Sequence, residues 1–147
     1  MNTNQVFIVH GHDAIRHEVA RFVRRIGCEE IILEEQVDAG VTTIFEKFTR
    51  HAAQATYAIV LMTPEDLTKD VASGKEAARA RQNVILELGF FIGKLGAKNV
   101  CLAKKGEVDI PSDIHGILYI NLDDGGWQLK LAKKLKAAGL NVDLNQV

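Results

Sequence analysis

Five short, unbroken apolar runs constrain this chain more than any other feature. They are Val6-Phe7-Ile8-Val9, Ile31-Ile32-Leu33, Tyr57-Ala58-Ile59-Val60-Leu61-Met62, Val100-Cys101-Leu102-Ala103 and Ile117-Leu118-Tyr119-Ile120. None alternates apolar with polar residues. A strand that is apolar on both sides is covered on both sides, which is the pattern of a parallel sheet between helices. The intervening segments supply the helices. From about Ala14 to Ile26, the apolar positions Ile15, Val19, Phe22, Val23 and Ile26 fall on one helical face. Gly27 closes that helix. Thr42 or Thr43 caps a second helix running to about Gln54, with Ile44, Phe45 and Phe48 expected inward. A third begins near Arg79 to Asn83 and ends around Gly96. A last one spans about Gly126 to Ala138, with Leu129, Leu131, Ala132 and Leu135 among its apolar residues. The order β-α-β-α-β-α-β, a loop, then β-α predicts a doubly wound α/β domain with a five-stranded parallel sheet. The stretch from Thr63-Pro64-Glu65-Asp66 to Ser73-Gly74-Lys75 reads as a polar loop.

The 147 residues suit one domain, residues 1–147, with a single substantial core. A formal net charge of −1 argues against a domain built to grip a nucleic-acid backbone. The polar start Met1-Asn2-Thr3-Asn4-Gln5 lacks the pattern of a secretory leader, and no apolar run approaches membrane-spanning length. Cys28 and Cys101 share no metal-type spacing and read as reduced packing residues. The expected setting is the cytoplasm, without a membrane partner.

One charge breaks the apolar pattern. In Arg81-Gln82-Asn83-Val84-Ile85-Leu86-Glu87-Leu88-Gly89-Phe90-Phe91-Ile92, Glu87 sits inside a helix headed for the interior. Burying a carboxylate without partners costs several kcal/mol, so Glu87 is either ion-paired or at work in a cleft. In sheets of order 2-1-3-4-5, ligands bind beyond the carboxyl ends of the strands, where the order reverses between strands one and three. The loops there are Gly11-His12-Asp13 and Thr63-Pro64-Glu65-Asp66, and the next helix brings Arg79, Arg81, Gln82 and Asn83 to the same edge. Asn83 and Glu87, four apart, share a helical face. Each has a plainer reading: Glu87 in a structural pair with Arg81 or a lysine, Asn83 as a helix-start residue, Gly11 as a turn glycine. His10 and His12 lack a third ligand, so no metal site is expected. Lys104-Lys105 reads as a solvated loop pair.

Three motifs in order, Val6 to Asp13, Ala80 to Phe91 and Ile110-Pro111-Ser112-Asp113-Ile114-His115-Gly116-Ile117, resemble the bacterial TIR-like domains of anti-phage effectors, those of the Pycsar effectors and of TIR–STING fusions. The likeness runs from Val6 to about Asp143. It implies a flavodoxin-like fold and cleavage of NAD+ into nicotinamide and an ADP-ribose product. It maps the catalytic glutamate to Glu87 and a gating or assembly loop to Gln36 through Thr42, with Gln36, Asp38 and Gly40 in it. It also implies activation by self-association into filaments or clusters, driven by a ligand-sensing domain that this chain does not carry.

The chemistry agrees. Nicotinamide in NAD+ is already a cationic leaving group, so no general acid is needed, unlike ordinary glycosides with their two carboxylates. One carboxylate can hold the ribose and stabilise the positive charge that develops on it. NAD+ is then substrate, and no cofactor is expected. Gly11, His12, Asp13, Thr63, Arg81 and Asn83 are the candidate substrate-binding residues. Arg81 would face the pyrophosphate, and Gly11 would let the backbone approach the ligand. Competing readings are a nucleoside deoxyribosyltransferase, which shares a Glu-x-Gly motif like Glu87-Leu88-Gly89 and uses its glutamate as a covalent nucleophile, a non-catalytic TIR adaptor, and a cyclic-nucleotide sensor, for which no second pocket is legible.

Overall fold

A computed structural model describes residues 4–33, 43–117 and 119–147. Five parallel strands form the main sheet: β1 (Gln5–Val9), β2 (Glu29–Ile31), β3 (Tyr57–Met62), β6 (Val100–Lys104) and β7 (Tyr119–Asn121). Their order is β2-β1-β3-β6-β7, the expected reversal between the first and third strands of the chain. All six residues of β3 are buried. That central strand has no solvent face, which is why its sequence does not alternate.

Helices cover both faces. α1 (Ile15–Arg25) and α4 (Trp127–Ala137) pack on one side, over a core that includes Ile8, Val23, Ile59, Leu131 and the edge-to-face pair Phe22–Trp127. α2 (Ile44–Ala52) and α3 (Gln82–Leu95) pack on the other, where Phe7, Phe48 and Phe91 meet ring to ring. The fold is a flavodoxin-like α/β domain. Cys28 and Cys101 are free, buried thiols, and burial pushes Cys101 up to about 12, so it stays protonated and packs as a small apolar group. Among the described residues no helix is long and apolar enough to cross a membrane.

Four expectations need correction, the first being that the fifth strand is Tyr119–Asn121 and starts two residues later than the run from Ile117. The second strand is Glu29–Ile31, two residues earlier than the apolar run, because β1 pairs with it from Gln5 to Phe7. The polar stretch after β3 is not a loop but an antiparallel hairpin, β4 (Asp66–Lys69) and β5 (Glu76–Arg79). Its turn is closed by Asp70 N–H on the Lys75 carbonyl (2.8 Å) and by Asp70 Oδ1 accepting from Ser73 N–H (2.7 Å), with Gly74 at φ 71°. Finally, only Phe48 of the three apolar residues opening α2 is buried. Ile44 and Phe45 are 82% and 55% exposed, because the first turn of α2 lies at the carboxyl edge of the sheet, past the strand residues it could cover. The Thr43 cap is as expected, its Oγ1 accepting from Glu46 N–H (3.0 Å).

Candidate active site

The carboxyl ends of β1 and β3 carry two loops that are tied together. Thr63, almost fully buried after β3, donates its hydroxyl to one oxygen of Glu65. The other oxygen of Glu65 accepts the backbone N–H of His12, after β1, at 2.6 Å. The carboxylate lies over the bare Cα of Gly11, where a Cβ would overlap it. Gly11 has no positive φ. Its missing side chain therefore serves close approach, as expected, but what approaches is Glu65 rather than a ligand.

Asp13 is also committed inside the protein. Its Oδ1 accepts Ile15 N–H (2.9 Å) at the start of α1, and both oxygens meet the Lys105 ammonium, at 2.9 and 3.1 Å. The Ile15 N–H first, and then Lys105, hold the Asp13 carboxyl below its ordinary range. Lys105 is thus no free loop cation, and Lys104 sits 5.7 Å from the centre of the Tyr119 ring. The His12 side chain is exposed, and Arg16 Nη1 reaches back to the His12 carbonyl (2.7 Å).

α3 brings the other candidates to the same edge. Arg81 is its N-cap residue, half-buried, with its carbonyl accepting from Val84 N–H (3.0 Å). Asn83 is exposed and lines a polar cleft of about 170 Å³ with Asp66, Arg81 and Gln82. Glu87 follows one turn later. The buried stripe of α3 is Val84, Leu88 and Phe91, and Glu87 lies beside it on the Asn83–Glu87–Phe90 stripe. Phe90 meets Phe48 of α2 edge to face, ring centres 5.1 Å apart, so that stripe looks toward the α2 side. Glu87 is half-buried, and the Glu87 and Arg81 side chains have no hydrogen bond or ion pair among the described residues. Burial alone raises the Glu87 carboxyl to about 7. The structural-pair reading of Glu87 with Arg81 is therefore not met.

Gly11, His12, Asp13, Thr63, Arg81 and Asn83 thus lie at the carboxyl edge of the sheet, with Glu87 one turn further along α3. Gln36, Asp38 and Gly40 lie outside the described residues. Sequence reasoning missed Glu65 as the group that joins the two loops. Its only signal was its place beside Thr63 at the order reversal.

The sequence profile of the CAP12/Pycsar effector protein TIR domain matches residues 5–124. The chain belongs to that family. Among curated relatives, this TIR domain is 50% identical over 143 residues to Uncharacterized protein YuaY of Escherichia coli K12, covering 96% of this chain and 48% of that protein. It is 38% identical over 128 residues to Protein tirC of Dictyostelium discoideum, covering 80% and 63%. To Pycsar effector protein BcPycTIR of Burkholderia cepacia it is 30% identical over 122 residues, covering 79% and 39%. The chain spans less than two thirds of the length of each of these relatives. The matched region of the TIR profile takes in both edge loops, Arg81, Asn83 and Glu87.

Proposed function

We propose that this TIR domain cleaves NAD+ at the nicotinamide–ribose bond, as an anti-phage effector module switched on by self-association. The observation that carries the reading is Glu87: a half-buried carboxyl, unpartnered among the described residues, raised to about 7 by burial, in the second turn of the helix that starts at the carboxyl edge of the sheet. A fold does not hold such a group for its own stability.

Without substrate beside it, a carboxyl raised to about 7 is partly protonated at neutral pH. A cationic nicotinamide ring placed beside it favours the ionised form, so substrate itself draws the carboxylate into its working state. The carboxylate then holds ribose hydroxyls and stabilises the developing oxocarbenium charge as neutral nicotinamide departs. Arg81, whose side chain has no partner among the described residues, is available to the pyrophosphate. Asn83, one turn before Glu87, is placed to orient it or the ribose. Gly11, His12, Asp13 and Thr63 shape the opposite wall through backbone and loop geometry.

Self-association has its own support. Ile44 and Phe45 in the first turn of α2 and Leu86 in the second turn of α3 are 82%, 55% and 59% exposed. Apolar side chains gathered beside a site suit a surface that is covered when copies cluster. The test is nicotinamide release from NAD+ by wild type and Glu87→Gln at rising protein concentration, with self-association followed by light scattering. Wild type should turn over and the variant should not, with assembly equal in both. Turnover in the variant would remove Glu87 from the chemistry. Intact NAD+ in clustered wild type would leave a non-catalytic adaptor.

A further inference from the structure

The place where a parallel α/β sheet is built to receive a ligand's anion holds one of the protein's own. The Glu65 carboxylate takes the His12 N–H at 2.6 Å, the hydroxyl of the nearly fully buried Thr63, and the space over Gly11 that a side chain would fill. Those groups come from the ends of β1 and β3, the two strands between which the order reverses. Nothing in packing asks for a charge there. A neutral amide would fill the same volume over Gly11 and still accept the His12 N–H.

Glu65 also has somewhere else to go. It heads the β4–β5 hairpin, held by its own N–H on the Arg79 carbonyl (3.0 Å), so its side chain can turn without unpairing its backbone. A cleft of about 620 Å³ opens beside it, lined by Glu65 itself with Asp66, Arg79, Gln82 and Ile85. Arg79, which lines that cleft and holds its guanidinium on the Asp109 carboxylate at 3.1 Å, is the cationic residue nearest in the hairpin.

We infer that Glu65 is an internal gate: its carboxylate occupies the subsite for a ligand phosphate on the His12 N–H and the Thr63 hydroxyl, and binding of a diphosphate-bearing ligand requires it to swing out toward Arg79. The inference rests on the NAD+ reading for the identity of that ligand. The gate sets affinity rather than chemistry. A diphosphate arriving beside a fixed carboxylate meets charge repulsion, and it must displace two hydrogen bonds that are already made. A protein that must stay quiet at ordinary NAD+ levels gains from that opposition, because assembly can then relieve it.

The test separates charge, volume and fold. Glu65→Gln keeps the shape and an acceptor for the His12 N–H but removes the charge; Glu65→Ala empties the space. Both should lower KM for NAD+ by about fivefold to thirtyfold, the effect of removing 1–2 kcal/mol of opposition, with kcat little changed. Thermal unfolding of each variant is followed in parallel. A plain structural tie gives the opposite result: Glu65→Ala loses stability and activity together, and Glu65→Gln leaves KM where it was. Either finding overturns the gate. A second readout does not depend on turnover. The His12 amide resonance is followed in ¹⁵N-labelled protein during titration with ADP-ribose. It should move at lower ADP-ribose concentration in Glu65→Gln than in wild type, and equal titration curves reject the gate. If wild type leaves NAD+ intact, the proposed activity fails, and the His12 titration alone then decides for or against the gate.

Discussion

Glu87 and Glu65 are glutamates at the carboxyl edge of the same sheet, and the fold treats them in opposite ways. Glu65 is bound at both oxygens, by a backbone N–H and a hydroxyl, over a glycine that makes room for it. Glu87 lies on the flank of α3, half-buried, with no hydrogen bond or ion pair among the described residues. One carboxylate is accommodated by its neighbours; the other is not. Desolvation without compensation raises a carboxyl's pKa and weakens the folded state whenever the group is charged. Such a group persists in a protein only where something outside folding requires it.

The comparison breaks most visibly at the chemistry. Removing the charge of Glu87 with Glu87→Gln should lower the rate of NAD+ cleavage by a factor on the order of 10² to 10³ or more, the usual loss when a group that stabilises transition-state charge is removed. Nicotinamide release measures it. A rate within about threefold of wild type would place both glutamates in the same structural class.

Gly11→Ala attacks the other side. The new Cβ overlaps the Glu65 carboxylate, so either that side chain leaves its two donors or the loop after β1 moves. The expected loss of stability is about 1–3 kcal/mol, read as a lower urea midpoint at unchanged slope. A variant as stable as wild type would mean that the Glu65 contact contributes little.

The pH dependence of catalysis sharpens the contrast further. Burial raises the Glu87 carboxyl of the substrate-free protein to about 7, so kcat/KM for the proposed cleavage should fall about tenfold per pH unit below 7 and level off above it. In kcat the inflection should move to lower pH, because bound cationic substrate favours the carboxylate. A profile flat from pH 5 to 9 would show that ionisation of Glu87 is not required.

Asp13 gives the smallest effect. Its carboxyl is depressed by the Ile15 N–H and by Lys105, so its contribution to stability is present above the ordinary carboxylate range and is lost as pH falls through the folded-state value. Lys105→Met removes one of those causes from a half-exposed pair. It should cost under about 1 kcal/mol at pH 7 in low salt, less in high salt, and nothing once Asp13 is protonated. A larger, salt-independent loss would show that Lys105 acts through packing.

Much of the fold was legible because burial wrote it. β1, β3 and β6 are covered on both faces, so each appears as an unbroken apolar run, and the helices between them carry one apolar face each. The β4–β5 hairpin was not legible for the same reason in reverse. Its pairing depends on a turn built by Asp70, Ser73 and Gly74, and Leu67, 71% exposed, marks no inner face. Ile44 and Phe45 misled because helical spacing reports which side faces the sheet but not where the sheet ends. At the site, Glu87 stood out as a charge in an apolar helix, and its neighbours followed from strand order. Glu65 did not stand out, since a glutamate in a polar loop looks solvated until the partner loop is placed against it. Asp13 and Lys105 are 92 residues apart, and local pattern gave no hint of their pairing.

Glu87 is held without a hydrogen bond or ion pair among the described residues, at a cost to folding. Equilibrium unfolding of wild type and Glu87→Gln across pH tests it without reference to any substrate. Below about pH 4.5 the carboxyl is protonated in both folded and unfolded chains, and the penalty is absent. Between 4.5 and 7 the unfolded chain ionises while the folded one holds its proton, so wild-type stability falls as pH rises, and above 7 the penalty is complete. Glu87→Gln should therefore match wild type near pH 4 and exceed it by about 1–3 kcal/mol at pH 8, after allowance for partial exposure. A variant less stable than wild type at pH 8 would mean that Glu87 has a partner and belongs to the framework, and the account would fail there.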